Sequence, residues 1–154
     1  MSDACCSIPS AEGGATARCP GSGTEGTAVE WTTVAALTRG PVPPRQDLRL
    51  CRDRDCEVVY YGTAGARITV DELTVRPGFK AGGDGLLCYC FLHREADVAR
   101  QLEASGETDV LESIQAEVRD GQCACEVRNP SGKCCLGEVQ RTIRRLETEL
   151  GVEP

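Results

Sequence analysis

Apolar residues in the first half of the chain come in short β-branched runs; in the second half they recur at helical spacing. Val29 to Thr33 reads as a strand and Val34 to Leu37 as one helical turn. Leu48 and Leu50 alternate into Cys51, and Val58, Val59, Tyr60 and Tyr61 follow Cys56. That pattern predicts strand, knuckle, strand. Ile68 to Val70 and Leu73 to Val75 are further short strands before Pro77-Gly78. Gly40 to Arg45 (GPVPPR) is a proline-rich loop that stops any helix. From Arg94 the period changes. Val98 and Leu102 lie one turn apart in a helix that Gly106 ends, with His93 at its cap. Val110, Leu111, Ile114 and Val118 follow the 3.6-residue period, with Thr108 as cap and Gly121 as terminator. Leu136, Val139, Ile143, Leu146 and Leu150 make a third apolar stripe, a core face, with Arg141, Arg144 and Arg145 off it.

These elements divide the chain. Residues 1–18 are small and polar, a flexible tail. Residues 19–80 form a β-rich unit and residues 81–85 (AGGDG) a linker. Residues 86–154 form a helical unit, so the fold class is α+β. Trp31, Tyr60 and Tyr61 are assigned to the small first core.

Composition narrows the function. The net charge is −7, which argues against nucleic acid, because neutralising phosphates needs a basic patch. No run of 18 apolar residues and no signal-peptide pattern is present, so a cytoplasmic chain without membrane insertion is expected. A single histidine leaves little material for a nucleophilic triad, and no nucleotide or metalloprotease motif occurs. A non-enzymatic role is expected.

The eleven cysteines of 154 residues change the picture most. They fall in tight groups: Cys5-Cys6, Cys19, Cys51 and Cys56, Cys88 and Cys90, Cys123 and Cys125, and Cys134-Cys135. Close pairs separated by long intervals are the pattern of metal or cluster ligation rather than of disulfides. In the helical unit, Cys88-Tyr89-Cys90 on an extended segment supplies two thiolates. The Asn129-Pro130-Ser131-Gly132 turn folds Cys125 back toward Cys134-Cys135, where the last helix begins. Four such thiolates suit an iron–sulfur cluster or a second zinc, and spacing alone does not choose. Neighbours on a helix point about 100° apart, so one of Cys134 and Cys135 faces the site. Cys123 is read as a non-ligand neighbour, and His93 as a capping or exposed residue.

The run from Cys88-Tyr89-Cys90 through two helices to Cys125 and a cysteine-bearing helix start resembles the bacterioferritin-associated ferredoxin-like [2Fe-2S] fold. The loop Cys125 to Cys135, with Cys19-Pro20, Thr24-Glu25-Gly26 and Cys51-x4-Cys56 followed by Glu57-Val58-Val59-Tyr60-Tyr61, resembles the CopZ-type N-terminal domain family. There a zinc-binding unit precedes the [2Fe-2S] unit. The resemblance covers roughly residues 19 to 150 and implies cluster ligands Cys88, Cys90, Cys125 and Cys135, with Cys134 the alternative. It implies zinc (Zn2+) ligands Cys19, Cys51 and Cys56. The family pattern is similar to C-P-x-C, and here its second cysteine is Ser22. Asp53, Asp55, Cys5 or Cys6 are the other candidates for the fourth ligand, or the site stays incomplete.

The implied function is soft-metal handling or resistance, for copper or mercury. The chain would act as a CopZ-like metallochaperone or redox accessory, with Cu(I) or Hg(II) as cargo. The alternatives are a small [2Fe-2S] electron-transfer partner and a zinc-only interaction module. Full-length chaperones of this family carry a heavy-metal-associated domain with an M-x-C-x-x-C loop. No C-x-x-C occurs here, so a separate metal transporter or heavy-metal-associated protein is the expected partner.

Overall fold

In the computed structural model, residues 18–153 are described. Four short strands, β1 (Thr27–Val29), β2 (Leu48–Leu50), β3 (Val58–Gly62) and β4 (Arg67–Thr69), form an antiparallel sheet in sequential order. Leu50 pairs with Tyr60 across β2 and β3. A register irregularity between Val58 and Tyr60 breaks the strict alternation of β3. Adjacent Val59 and Tyr60 both enter the main core of this half, while Val58 and Tyr61 pack with Cys19 and Cys51. Tyr61 is therefore a wall of the thiol site and not a member of the main core.

Helix α1 (Trp31–Leu37) departs from the pattern, which assigns Val29 to Thr33 to a strand. Val29 closes β1, and Glu30 in extended conformation caps the helix. The helix buries Thr33, Val34 and Leu37, a three-to-four spacing that suits a helix better than a pleat. Leu73 to Val75 is not a strand either. The Glu72 carboxylate accepts from the Thr69 amide, closing a capping box that turns Val70–Glu72 into a 3-10 turn. Only an isolated bridge joins Leu73 to Thr38.

The second half opens with a hairpin, β5 (Leu86–Cys88) and β6 (His93–Arg94). Extended backbone stops at Cys88, and Tyr89 to Leu92 form a turn in which Leu92 takes φ 60°. His93 pairs with Cys88 in this hairpin, and Arg94 caps α2 (Glu95–Ser105) instead. Helices α3 (Val110–Arg119), α4 (Cys125–Arg128) and α5 (Leu136–Leu150) follow. Asp109 rather than Thr108 occupies the α3 cap. Gly106 ends α2 in the left-handed region, as expected of its lack of a Cβ. Val98, Leu102, Val110, Ile114, Val139 and Leu146 form the second core, and Cys88 and Cys135 belong to it. Thr142 is buried in α5, whereas Leu150 is left exposed at the last turn.

Residues 81–85 join two halves that pack on each other. Tyr60 donates its hydroxyl to Pro130 O at 2.6 Å, and Thr33 donates to Glu126 O at 2.7 Å. A Cβ on Gly78 would meet the Leu86 backbone at 2.3 Å, so the chain crosses itself closely there. No helix among the described residues is long and apolar enough to cross a membrane.

Candidate metal centres

The first centre gathers Cys19, Cys51 and Cys56, whose sulfurs all lie within 4.8 Å of one another. Cys19 begins a tight loop closed by Cys19 N–H to Thr24 O and Gly23 N–H to Cys19 O, both 2.8 Å. Cys51 directly follows β2, and Cys56 lies two residues before β3. The connection between these paired strands thus delivers two thiols, and the loop lays a third beside them. Cys19 Sγ and Cys56 Sγ are 3.8 Å apart. Gly21 passes so close that a Cβ there would lie 2.7 Å from Cys56 Sγ. The Gly21 amide donates to Cys19 Sγ at 3.4 Å.

Burial raises the Cys51 thiol. The Ser22 hydroxyl, the Asp53 amide, Cys19 and the Thr24 hydroxyl outweigh burial and bring Cys51 down to about 7. The stabilised thiolate form is the form that binds metal. Burial pushes the Cys56 thiol up, against the Val58 amide. Ser22 Oγ lies 3.5 Å from Cys51 Sγ. Asp53 Oδ1 accepts instead from the Asp55 amide at 2.9 Å, and Asp55 is exposed. Cys5 and Cys6 lie outside the described residues.

One residue of this centre left no mark in the sequence pattern. Lys80 is 1% exposed. Its ammonium donates to Asp53 O at 2.7 Å, Cys56 O at 3.1 Å and Val58 O at 2.8 Å. All three N–H bonds are used, so the buried charge is fully hydrogen-bonded. It ties both ends of the knuckle together. A lysine flanked by Phe79 and Ala81 carries no motif, so only tertiary structure reveals it.

The second centre brings together Cys88, Cys90, Cys125 and Cys135. Cys90 Sγ and Cys125 Sγ are 3.8 Å apart, and the Cys88 and Cys135 thiols are buried in one core, near enough to shift each other's protonation. The Cys135 thiol lowers Cys88 to about 6 against burial, helped by the Phe91 and Cys90 amides and by His93. Cys88 raises Cys135 in turn, with burial. Burial raises Cys125 to about 12, against the Cys135 amide. Ala124 N–H donates to Cys90 Sγ at 3.2 Å and Phe91 N–H to Cys88 Sγ at 3.4 Å. Backbone amides aimed at sulfur ease negative charge there. Cys135 is buried, whereas Cys134 and Cys123 are exposed. His93 is neither a cap nor fully exposed: it sits half-buried across the hairpin from Cys88.

Residues 16–74 match the CopZ family described as a zinc binding domain. The chain is 32% identical over 127 residues to the copper chaperone CopZ of Archaeoglobus fulgidus. That match takes in 80% of this chain and 60% of the chaperone, so the chain spans less than two thirds of its relative. The X-ray structure of the Archaeoglobus fulgidus CopZ N-terminal domain superposes with a TM-score of 0.63 at 27% identity. It covers 89% of this chain and 99% of that one.

Proposed function

We propose that this chain, whose residues 16–74 match the CopZ zinc binding domain, handles soft metal ions with two thiol centres. The first holds zinc. The second holds a [2Fe-2S] cluster on Cys88, Cys90, Cys125 and Cys135. The protein binds and passes ions and electrons rather than catalysing group transfer.

The observation that carries the cluster reading is how the second set of sulfurs is grouped. Tetrahedral zinc at about 2.3 Å from sulfur holds all four sulfurs about 3.8 Å from one another. Among the described residues, only Cys19, Cys51 and Cys56 form a group of three or more within 4.8 Å. The second set is two pairs, Cys90 with Cys125 and Cys88 with Cys135. A binuclear cluster asks for that arrangement, with two thiolates to each iron. The amides of Ala124, Phe91 and Cys135 that face these sulfurs support an anionic group.

Cys88, Cys90, Cys125 and Cys135 would hold such a cluster, which, once reduced by an external one-electron donor, would return to its oxidised form as it converts one Cu(II) to Cu(I). The named similarity to a copper chaperone supports copper as cargo, and Hg(II) is the second soft ion of this class. A metal transporter or a heavy-metal-associated unit receives the ion.

The test is anaerobic purification followed by an absorption spectrum and iron, sulfide and zinc analysis of one sample. Two irons, two sulfides and one zinc per chain with a brown spectrum are expected. A colourless protein that takes up no iron on reconstitution overturns the cluster and leaves a zinc-only module.

A further inference from the structure

The first centre has three thiols, and at the position where the C-P-x-C pattern would place another stands Ser22. We propose that the Ser22 hydroxyl oxygen is the fourth donor, giving a zinc site of three sulfurs and one oxygen. The proposal rests on the zinc-binding reading of residues 16–74 and deepens it.

The distances carry it. Zinc at about 2.3 Å from sulfur and about 2.0 Å from oxygen separates two sulfurs by about 3.8 Å, and sulfur from oxygen by about 3.5 Å. Cys19 Sγ and Cys56 Sγ are 3.8 Å apart, and Ser22 Oγ is 3.5 Å from Cys51 Sγ. Both separations already have the tetrahedral values. The hydroxyl is also held in place by Thr24. Thr24 Oγ1 lies 2.7 Å from Ser22 Oγ, and the Thr24 amide donates to it at 3.3 Å. Partners of this kind fix the orientation of a metal ligand.

The rival oxygens are placed elsewhere. The Asp53 carboxylate is turned into its own loop, and no carboxylate among the described residues joins the three sulfurs within 4.8 Å. Thr24 Oγ1 is farther from Cys51 Sγ, at 3.8 Å, and serves Ser22.

The chemistry follows from the donor. A neutral hydroxyl leaves the zinc centre one negative charge short of a four-thiolate site. It is also a harder ligand than thiolate. The fourth position is therefore the one at which an external thiolate can enter.

The experiment is zinc K-edge X-ray absorption on the full chain, with chelator competition for zinc. The expected wild-type shell is three sulfurs near about 2.3 Å and one oxygen near about 2.0 Å. Ser22→Cys is expected to give four sulfurs and no oxygen. Ser22→Ala is expected to keep three sulfurs and to lose zinc to chelator at about tenfold lower competitor concentration. A wild-type shell of four sulfurs, an oxygen retained in Ser22→Cys, or unchanged zinc affinity in Ser22→Ala overturns the assignment. Ser22→Cys keeps a donor in place, so it stays readable if Ser22→Ala fails to fold. A wild-type chain that holds no zinc overturns the zinc-binding reading itself.

Discussion

Cys134 and Cys135 are chemically identical neighbours in opposite surroundings, one in solvent and one 2% exposed in the core beside Cys88. Removing each therefore has a different effect. Cys135→Ser is expected to abolish the iron content of the second centre and leave zinc in the first. Cys134→Ser is expected to keep both, measured as metal per chain after anaerobic purification. The same logic applies to Gly21, where the constraint is contact rather than conformation. A methyl group there would meet Cys56 Sγ at 2.7 Å and Val58 Cγ2 at 3.0 Å. Gly21→Ala is expected to displace the Cys56 thiol and weaken zinc binding by about tenfold or more, read by chelator competition. The thiols, the turn at Asn129 and the departure at Ser22 were all legible in the sequence, because cysteine, glycine and proline carry local signals. Tyr61 was not. Its neighbour Tyr60 enters the main core, and only the irregular register of β3 sends Tyr61 to the sulfurs.

Among the elements, those with strict periodicity were the readable ones. The stripes of α2 and α3 pack as their spacing predicts, and that of α5 does so except at Leu150, which is exposed at the last turn. Helix α1 is two turns long and β-branched, so local preference gave the wrong answer and packing decided it. That helix and β3 have a second task. Thr33 from α1 and Tyr60 from β3 hold the carbonyls of Glu126 and Pro130 in the segment between Cys125 and Cys135. Tyr60→Phe leaves the Pro130 carbonyl without this donor and is expected to cost about 1–3 kcal/mol. The measurement is denaturant unfolding. If the second centre holds the proposed cluster, its visible absorption is expected to bleach faster in this variant than in the wild type, since the segment loses a tether to the sheet.

For the molecule as a whole, stability should fall at high pH. Burial, with Glu138 and Asp84 nearby, raises the Tyr89 hydroxyl to about 12, against the Gly78 amide and Arg52. Burial raises Tyr60 further, with Tyr89 adding to it. An unfolded tyrosine loses its proton near about 10. Between that value and 12 the unfolded chain binds fewer protons than the folded one, so stability is full below about 10 and falls as pH rises. Melting temperature is expected to decline across this window. Tyr89→Phe, which lacks the titrating proton, is expected to flatten the decline while lowering stability at neutral pH through loss of the Gly78 contact.

Lys80 lies beyond residue 74, where the zinc-binding match ends, yet its ammonium closes the knuckle at Asp53, Cys56 and Val58. A fragment that keeps the knuckle's donor is thus expected to extend past residue 74. A piece ending at residue 74 would leave three inward-facing carbonyls without their donor and should refold poorly on zinc. One continued through residue 84 should recover cooperative, zinc-dependent melting. A single cation reaching backwards gives the chain a reason to run on from residue 74 to the glycines of residues 81–85.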